Sequence, residues 1–197
     1  MEATQLRRFA VVFATTHGQA GKTASRIVED FTANGHLVDH FKADDPDPRV
    51  DSIAWWSDLD GIVLVGSIHV GLYQSALRRF IERHRSKIES TRNALVSVSL
   101  TATKTDPQSQ RTLQEYEETL FEQTGWRPHR VVHVKGAVVY RRYGFWLRWF
   151  VRWFVGQSVG ATDSKRDHEF TDWEAVDAFA ERFPSSIRGL VEASGVD

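Results

Sequence analysis

Cysteine is absent from the 197 residues, which excludes disulfides, thiolate catalysis, iron–sulfur ligation and cysteine zinc sites together. Net charge is almost absent as well. The 25 lysines and arginines against 26 acidic residues leave −1, so no global field calls for nucleic acid or an acidic polymer, and any electrostatic message is local. Also missing is an apolar signal region at the start, where Met1–Arg8 leads straight into a β-type segment. Cytoplasmic residence is the expectation, with peripheral attachment to the inner face of the membrane left open. A 41% hydrophobic, 26% charged chain of this length fits one soluble domain over 1–197, long enough to bury a proper core.

Along the chain, apolar runs alternate with helical periodicity. Arg8–Ala14 and Gly61–Gly66 read as buried strands, His36–Phe41, Ala94–Leu100 and Arg130–Gly136 as three more. Ala24, Ile27, Val28 and Phe31 recur at helical spacing before the stop Asn34-Gly35. Leu77, Phe80, Ile81, His84 and Ile88 form a second helical stripe, and a third helix is expected near Ser109–Gln123. Asp44–Pro48 reads as an acidic surface loop. Thr171-Asp-Trp-Glu174 has the form of a capping box opening a last helix with Trp173, Val176, Ala180, Phe183, Ile187 and Leu190. Five strands alternating with helices define a doubly wound parallel sheet, in which a ligand sits outside the carboxyl ends of the strands.

The loops after strands one, three and four are all rich in Ser, Thr and Gly. The first, Thr15, Thr16, His17, Gly18, Gln19, Ala20 and Gly21, joins strand to helix and offers backbone N–H groups and hydroxyls as a phosphate cradle. Gly21-Lys22-Thr23 resembles the tail of a nucleotide P-loop, but Thr16 stands where its first glycine is needed. A phosphoreceiver site would need acidic residues after strand one and an aspartate ending strand three. Those places hold Thr15-Thr16-His17 and Gly66-Ser67. Gly66–Gly71 lacks the glycine spacing of a hydrolase elbow. His36 and His40 share a strand face without the partners that complete a metal site.

The segment 137–169 breaks the rhythm and reads as an insertion after strand five. Four of the seven tryptophans lie between 126 and 153, most of them within it. At helical spacing Arg148 and Arg152 form a narrow cationic stripe beside Trp146, Trp149 and Trp153. The eleven residues from Phe145 would span about 16 Å, short of the ~30 Å hydrocarbon thickness, so they cannot cross a membrane. Three readings stand: an interfacial helix, a wall for a flat apolar ligand bearing carboxylates, or a buried helix whose arginines snorkel outward.

These residues resemble the flavodoxin-like, menaquinone-dependent protoporphyrinogen oxidases of bacteria. The likeness runs from about Phe9 to Phe179. It rests on Thr15, Gly18 and Gln19, on Gly66-Ser-Ile68 with Gly71, Tyr73 and Ser75-Ala76, and on Trp126-Arg-Pro128. It rests further on Gly136-Ala137 with Tyr140, Arg142 and Tyr143, on Thr162-Asp163 and on Thr171–Glu174. Flavodoxin-like phosphate loops usually carry hydroxyls where this chain has His17 and Ala20; Thr15, Thr16 and Thr23 supply hydroxyls nearby. The resemblance implies a flavodoxin-like α/β fold, a five-stranded parallel sheet of order 2-1-3-4-5 carrying the Arg/Trp-rich helical insertion. It implies FMN held at the first loop, with Ser67, Ile68, His69, Val70, Gly71 and Leu100, Thr101, Ala102, Thr103 flanking its ring. It also implies oxidation of protoporphyrinogen IX, menaquinone or another quinone as acceptor, and membrane attachment through the 140–155 helix. Tyr140, Arg141, Arg142, Arg148 and Arg152 are the candidates for substrate propionates or lipid phosphates. Rival readings are a flavodoxin-type electron carrier and an NAD(P)H:quinone reductase; a homo-oligomer stays open.

Overall fold

In the computed structural model of the chain, the described residues are 5–16, 18–99, 101–103, 106–135, 137–138, 168–169 and 171–186. Strand β1 (Arg8–Ala14) is apolar on both faces, as a central parallel strand must be. Beside it lies β2 (Leu37–Lys42) at the sheet's half-exposed edge. On the other side follows β3 (Gly61–His69), whose end turns back antiparallel as the short β4 (Leu72–Tyr73). Then come β5 (Asn93–Ser99) and β6 (Val131–Lys135). The parallel order β2-β1-β3-β5-β6 is the expected doubly wound arrangement, with β4 added as an arm that the alternation of apolar residues did not announce.

Helix α1 (Gln19–Ala33) buries Ala20, Thr23, Ala24, Ile27 and Phe31, one stripe at helical period. It stops at Gly35, whose φ of +81° closes the end with bonds from Gly35 N–H to the Thr32 carbonyl and from His36 N–H to the Phe31 carbonyl. The acidic loop is followed by a 3-10 turn (Pro48–Asp51) and a short α2 (Ile53–Ser57) that seats Trp55 and Trp56 in the core. Helix α3 (Ser75–Glu89) buries the five residues of its expected stripe. Helix α4 (Pro107–Thr124) is capped by Asp106 and ended by Gly125 at φ +66°. Helix α5 (Trp173–Ser185) starts one residue later than the capping-box reading. Asp172, not Thr171, accepts from Ala175 N–H at 3.2 Å. Ile187 and Leu190 lie outside the described residues.

α1 and α5 cover one face of the sheet; α2, α3 and α4 cover the other. On the first, Phe9, Phe31 and Phe183 pack together, with Phe31 and Phe183 stacked at 6.2 Å. The second buries Trp55, Trp56, Tyr73, Phe80 and Trp126. Two strands, β7 (Ala137–Val138) and β8 (His168–Glu169), pair antiparallel, which sets the two ends of the 137–169 stretch side by side.

Candidate functional site

The register carries three loops to one edge. Ala14 of β1 pairs with Gly66 of β3, and Ser67 of β3 with Val98 of β5, so the chain leaves all three strands at the same level. The order reverses between β1 and β3, the switch point where a crevice opens.

In the first loop Gly18 takes a φ of +92°, open to glycine at little cost. The Thr15 hydroxyl accepts from Gly18 N–H at 2.8 Å, and the Gly18 carbonyl accepts the first helical bond from Lys22 N–H at 3.0 Å. Among the described residues no side chain caps this end of α1, and its first turn carries no acidic residue. The positive end of the helix dipole is therefore open to an anion. Gln19 and Ala20 are buried, and Gln19 donates its side-chain amide to the Thr171 hydroxyl. Arg26 forks onto Asp177 at 2.8 and 2.9 Å, a second tie between α1 and α5. Thr16 is exposed. Thr23, which offered a further hydroxyl, is instead fully buried in the stripe of α1 that packs against the sheet.

The second loop is a tight hairpin. Ile68 pairs with Tyr73 and His69 with Leu72, leaving Val70 and Gly71 as the turn, at φ +51° and +79°. A left-handed β-branched residue is strained by about 1–3 kcal/mol and persists only where its surroundings hold it. Val70 is 85% exposed. Behind the turn, a Cβ on Gly71 would lie 3.1 Å from the Tyr116 ring, and one on Gly66 would lie 2.9 Å from the Tyr73 ring. Gln74 fixes the base of the loop: its carbonyl accepts from Ser67 N–H at 3.2 Å and its amide donates to the Ser67 hydroxyl and, at 3.5 Å, to Thr16. The third loop is a 3-10 turn, Thr101–Thr103, whose Ala102 N–H donates to the Ser99 hydroxyl at 3.1 Å.

Thr15, Thr16, Gly18, Gln19, Ala20, Gly21, Ser67, Ile68, His69, Val70, Gly71, Thr101, Ala102 and Thr103 thus stand on three adjacent loops. His17, Leu100, Tyr140, Arg141, Arg142, Arg148 and Arg152 lie outside the described residues. Sequence reading passed over Gln74 and Ser99, and read Thr171 as a helix cap rather than as the partner of Gln19. Their roles depend on loop geometry, which spacing does not encode. His36 and His40 are packing residues, the first edge-on to Phe9 and the second against Phe13. Below the ligand edge, on the α3/α4 face, the buried Tyr73 hydroxyl donates to Ser97 at 2.7 Å, and its phenol is pushed well above its ordinary range by burial.

A doubly wound α/β domain with an anion cradle and an apolar hairpin at its switch point is the class that fold and site define. The flavodoxin-domain family model matches residues 10–165, and the chain belongs to that family. It is similar to the protoporphyrinogen IX dehydrogenase [quinone] of Escherichia coli K12, 29% identical over 86% of this chain and 91% of the relative. The Leishmania major protein of the same name is also 29% identical, over 92% of this chain and 76% of its own length. Among solved structures, a short-chain flavodoxin associated with a non-canonical PDU bacterial microcompartment shares the fold. Its TM-score is 0.54 at 13% identity, covering 92% of this chain and 99% of that one.

Proposed function

We propose that this flavodoxin-domain protein is an FMN-dependent enzyme that oxidises protoporphyrinogen IX and passes the electrons to a quinone. What carries the reading is the extent of the likeness to dehydrogenases of that name, over 86% of this chain. The site supports FMN on its own terms. A glycine-started, uncapped helix end beside Thr15 and Thr16 suits a phosphate monoester. The apolar hairpin Ile68–Leu72 and the 3-10 turn at Thr101–Thr103 form two walls for a flat ring. FMN held there would supply two-electron redox chemistry, and because the porphyrinogen loses six electrons and six protons in becoming the porphyrin, three rounds would be needed, each reducing one quinone to its quinol. The protein's own part is position. Gln74 fixes Ser67, and Tyr116 and Tyr73 back the hairpin, so the ring meets a preformed wall.

In this reading the inserted 137–169 segment supplies the substrate side. Tyr140, Arg141, Arg142, Arg148 and Arg152 pair with the propionates or with lipid phosphates, guanidinium forks matching both. The acceptor is menaquinone or a similar membrane quinone, met at the inner face of the membrane. Among the described residues no helix is long and apolar enough to cross one.

The test is anaerobic incubation of the FMN-loaded protein with protoporphyrinogen IX and a menaquinone, following porphyrin fluorescence above autoxidation. Porphyrin formation that needs both protein and quinone is expected. Quinone reduction by NADH with no porphyrin formed would overturn the reading in favour of an NAD(P)H:quinone reductase. Changing Arg148 and Arg152 together to Glu should keep FMN bound and lower both turnover and binding to anionic vesicles.

A further inference from the structure

One carboxyl group in the described structure is buried without a cation. Glu117, on α4, is 7% exposed, and its Oε1 lies 3.2 Å from His133 Nδ1 of β6, out of line for a hydrogen bond. The strand register explains the neighbours. Gly66, Ser97 and His133 are consecutive partners across β3, β5 and β6, so all three face α3 and α4 just below the ligand edge. Tyr73 fills the space over Gly66, bonds Ser97, and is close enough to Glu117 for the carboxylate to raise its phenol further. The adjacent residue on α4, Tyr116, packs its ring over Gly71 in the turn of the hairpin. Two successive residues of one helix therefore back the same hairpin, Glu117 at its base and Tyr116 at its tip.

We propose that Glu117 is a positioning residue for the β3–β4 hairpin: protonated, it lets α4 seat against Tyr73 and clamp the Val70–Gly71 turn at the flavin edge, and ionised, it unseats them. The proposal rests on the FMN reading above and names the residue that keeps that wall in place. A carboxylate here has no countercharge to meet. From β4 it faces the neutral phenol of Tyr73, and from β6 the 38% exposed imidazole of His133, whose pKa partial burial holds below its ordinary range, so it carries no charge above neutrality. Its own helix offers Glu118, a like charge, and the α3 cation Arg78 is directed to Gln123 at 2.8 Å. Among the described residues Glu117 makes no ion pair with lysine or arginine. Ionisation then favours more water around Oε1 than the seated α4 admits, which works against its packing. A shifted α4 withdraws Tyr116 from Gly71, and the left-handed Val70 relaxes once nothing holds it. Burial, with Glu118 adding to it, pushes the Glu117 carboxyl from 4.5 up to about 7, so the switch falls near neutrality.

The experiment measures FMN affinity by flavin fluorescence quenching from pH 5.5 to 8.5 in the native protein, Glu117→Gln and Tyr116→Leu. Amide hydrogen exchange of Ser67 to Tyr73 is followed without FMN over the same range. In the native protein the dissociation constant should rise above pH 7, approaching tenfold per pH unit for a single linked proton. Hairpin exchange should accelerate beyond its intrinsic pH dependence. Glu117→Gln, neutral and of the same shape, should show above pH 7 neither the rise in dissociation constant nor the added hairpin exchange, and should hold FMN at pH 8 more tightly than the native protein does at that pH. Tyr116→Leu should loosen the hairpin at every pH and remove the slope. The ionisation of the FMN phosphate near pH ~6 is common to all three and cancels. A slope that survives in Glu117→Gln overturns the proposal, as does a native protein without one. If FMN binds to none of them at any pH, the functional reading fails, and the exchange data alone decide the role of Glu117.

Discussion

The two faces of the sheet are built on different principles. The face under α1 and α5 is mostly hydrocarbon, Phe9, Phe31, Phe179 and Phe183 against a bed of Val11, Val63, Val65 and Val96, with the buried Thr23 and His36 set among them. The face under α2, α3 and α4 carries as much apolar bulk but mixes in Tyr73, Ser97, His84 and Glu117, all buried. On the first face the buried imidazole of His36 sits on phenylalanine at the far end of α1 from the Gly18 loop. The second holds Tyr73 and Glu117 beneath the β3–β4 hairpin, so a change in their protonation acts on that loop.

The sharpest way to break the comparison is a cavity on the apolar face. Phe31→Ala should cost about 3–5 kcal/mol in urea unfolding, since Phe31 is fully buried against Phe9 and Phe183. FMN affinity should hardly change below the unfolding transition. A large affinity loss with the fold intact would mean the faces are not separable.

Next in size is the pH dependence of stability. The Glu117 carboxyl is raised in the folded state from 4.5 to about 7. The unfolded chain therefore ionises first as pH rises. The contribution is fully present below pH 4.5, declines between the two values and is lost above the upper one. Urea unfolding at pH 5 and pH 7.5 should show this decline in the native protein and a smaller one in Glu117→Gln. Equal declines would place the proton uptake elsewhere.

The smallest effect belongs to the hairpin tip. Val70→Gly relieves a left-handed valine and loses almost no packing, because Val70 is largely exposed. Relief of roughly 1–2 kcal/mol against an unfolded-state cost of ~0.5–1 kcal/mol leaves a small net gain in stability. A raised urea midpoint together with weaker FMN binding would show that the strain is kept for the site. A lowered midpoint would mean that Val70 packs after all.

What the sequence disclosed follows the same division. Periodicity found the strands and the buried stripes of α1 and α3, because burial on one face leaves a repeat that needs no knowledge of partners. It also singled out the three loops that the fold sets side by side at the carboxyl ends of β1, β3 and β5, since strand ends and small polar residues coincide there. It did not find β4, whose two residues are too few for alternation to register. It placed the cap of α5 one residue early, since both Thr171 and Asp172 are capping types and only the contact with Gln19 decides between them. Glu117 was hidden for a similar reason. One of the three glutamates in the polar stretch Gln114–Glu118 reads as solvated like the others until the fold shows what lies over it.

The ties between α1 and α5 also bear on how the protein is made. Gln19 meets Thr171 across 152 residues of chain, and Arg26 meets Asp177 across 151. A ribosome adding about 5–20 residues per second takes roughly eight to thirty seconds to cover that interval. Until then the nascent Gly18 loop lies against its sheet with nothing behind Gln19. Completion of that loop thus becomes a closing event of synthesis, and the early-made half of the domain waits, with its phenylalanines uncovered, for the last helix to emerge.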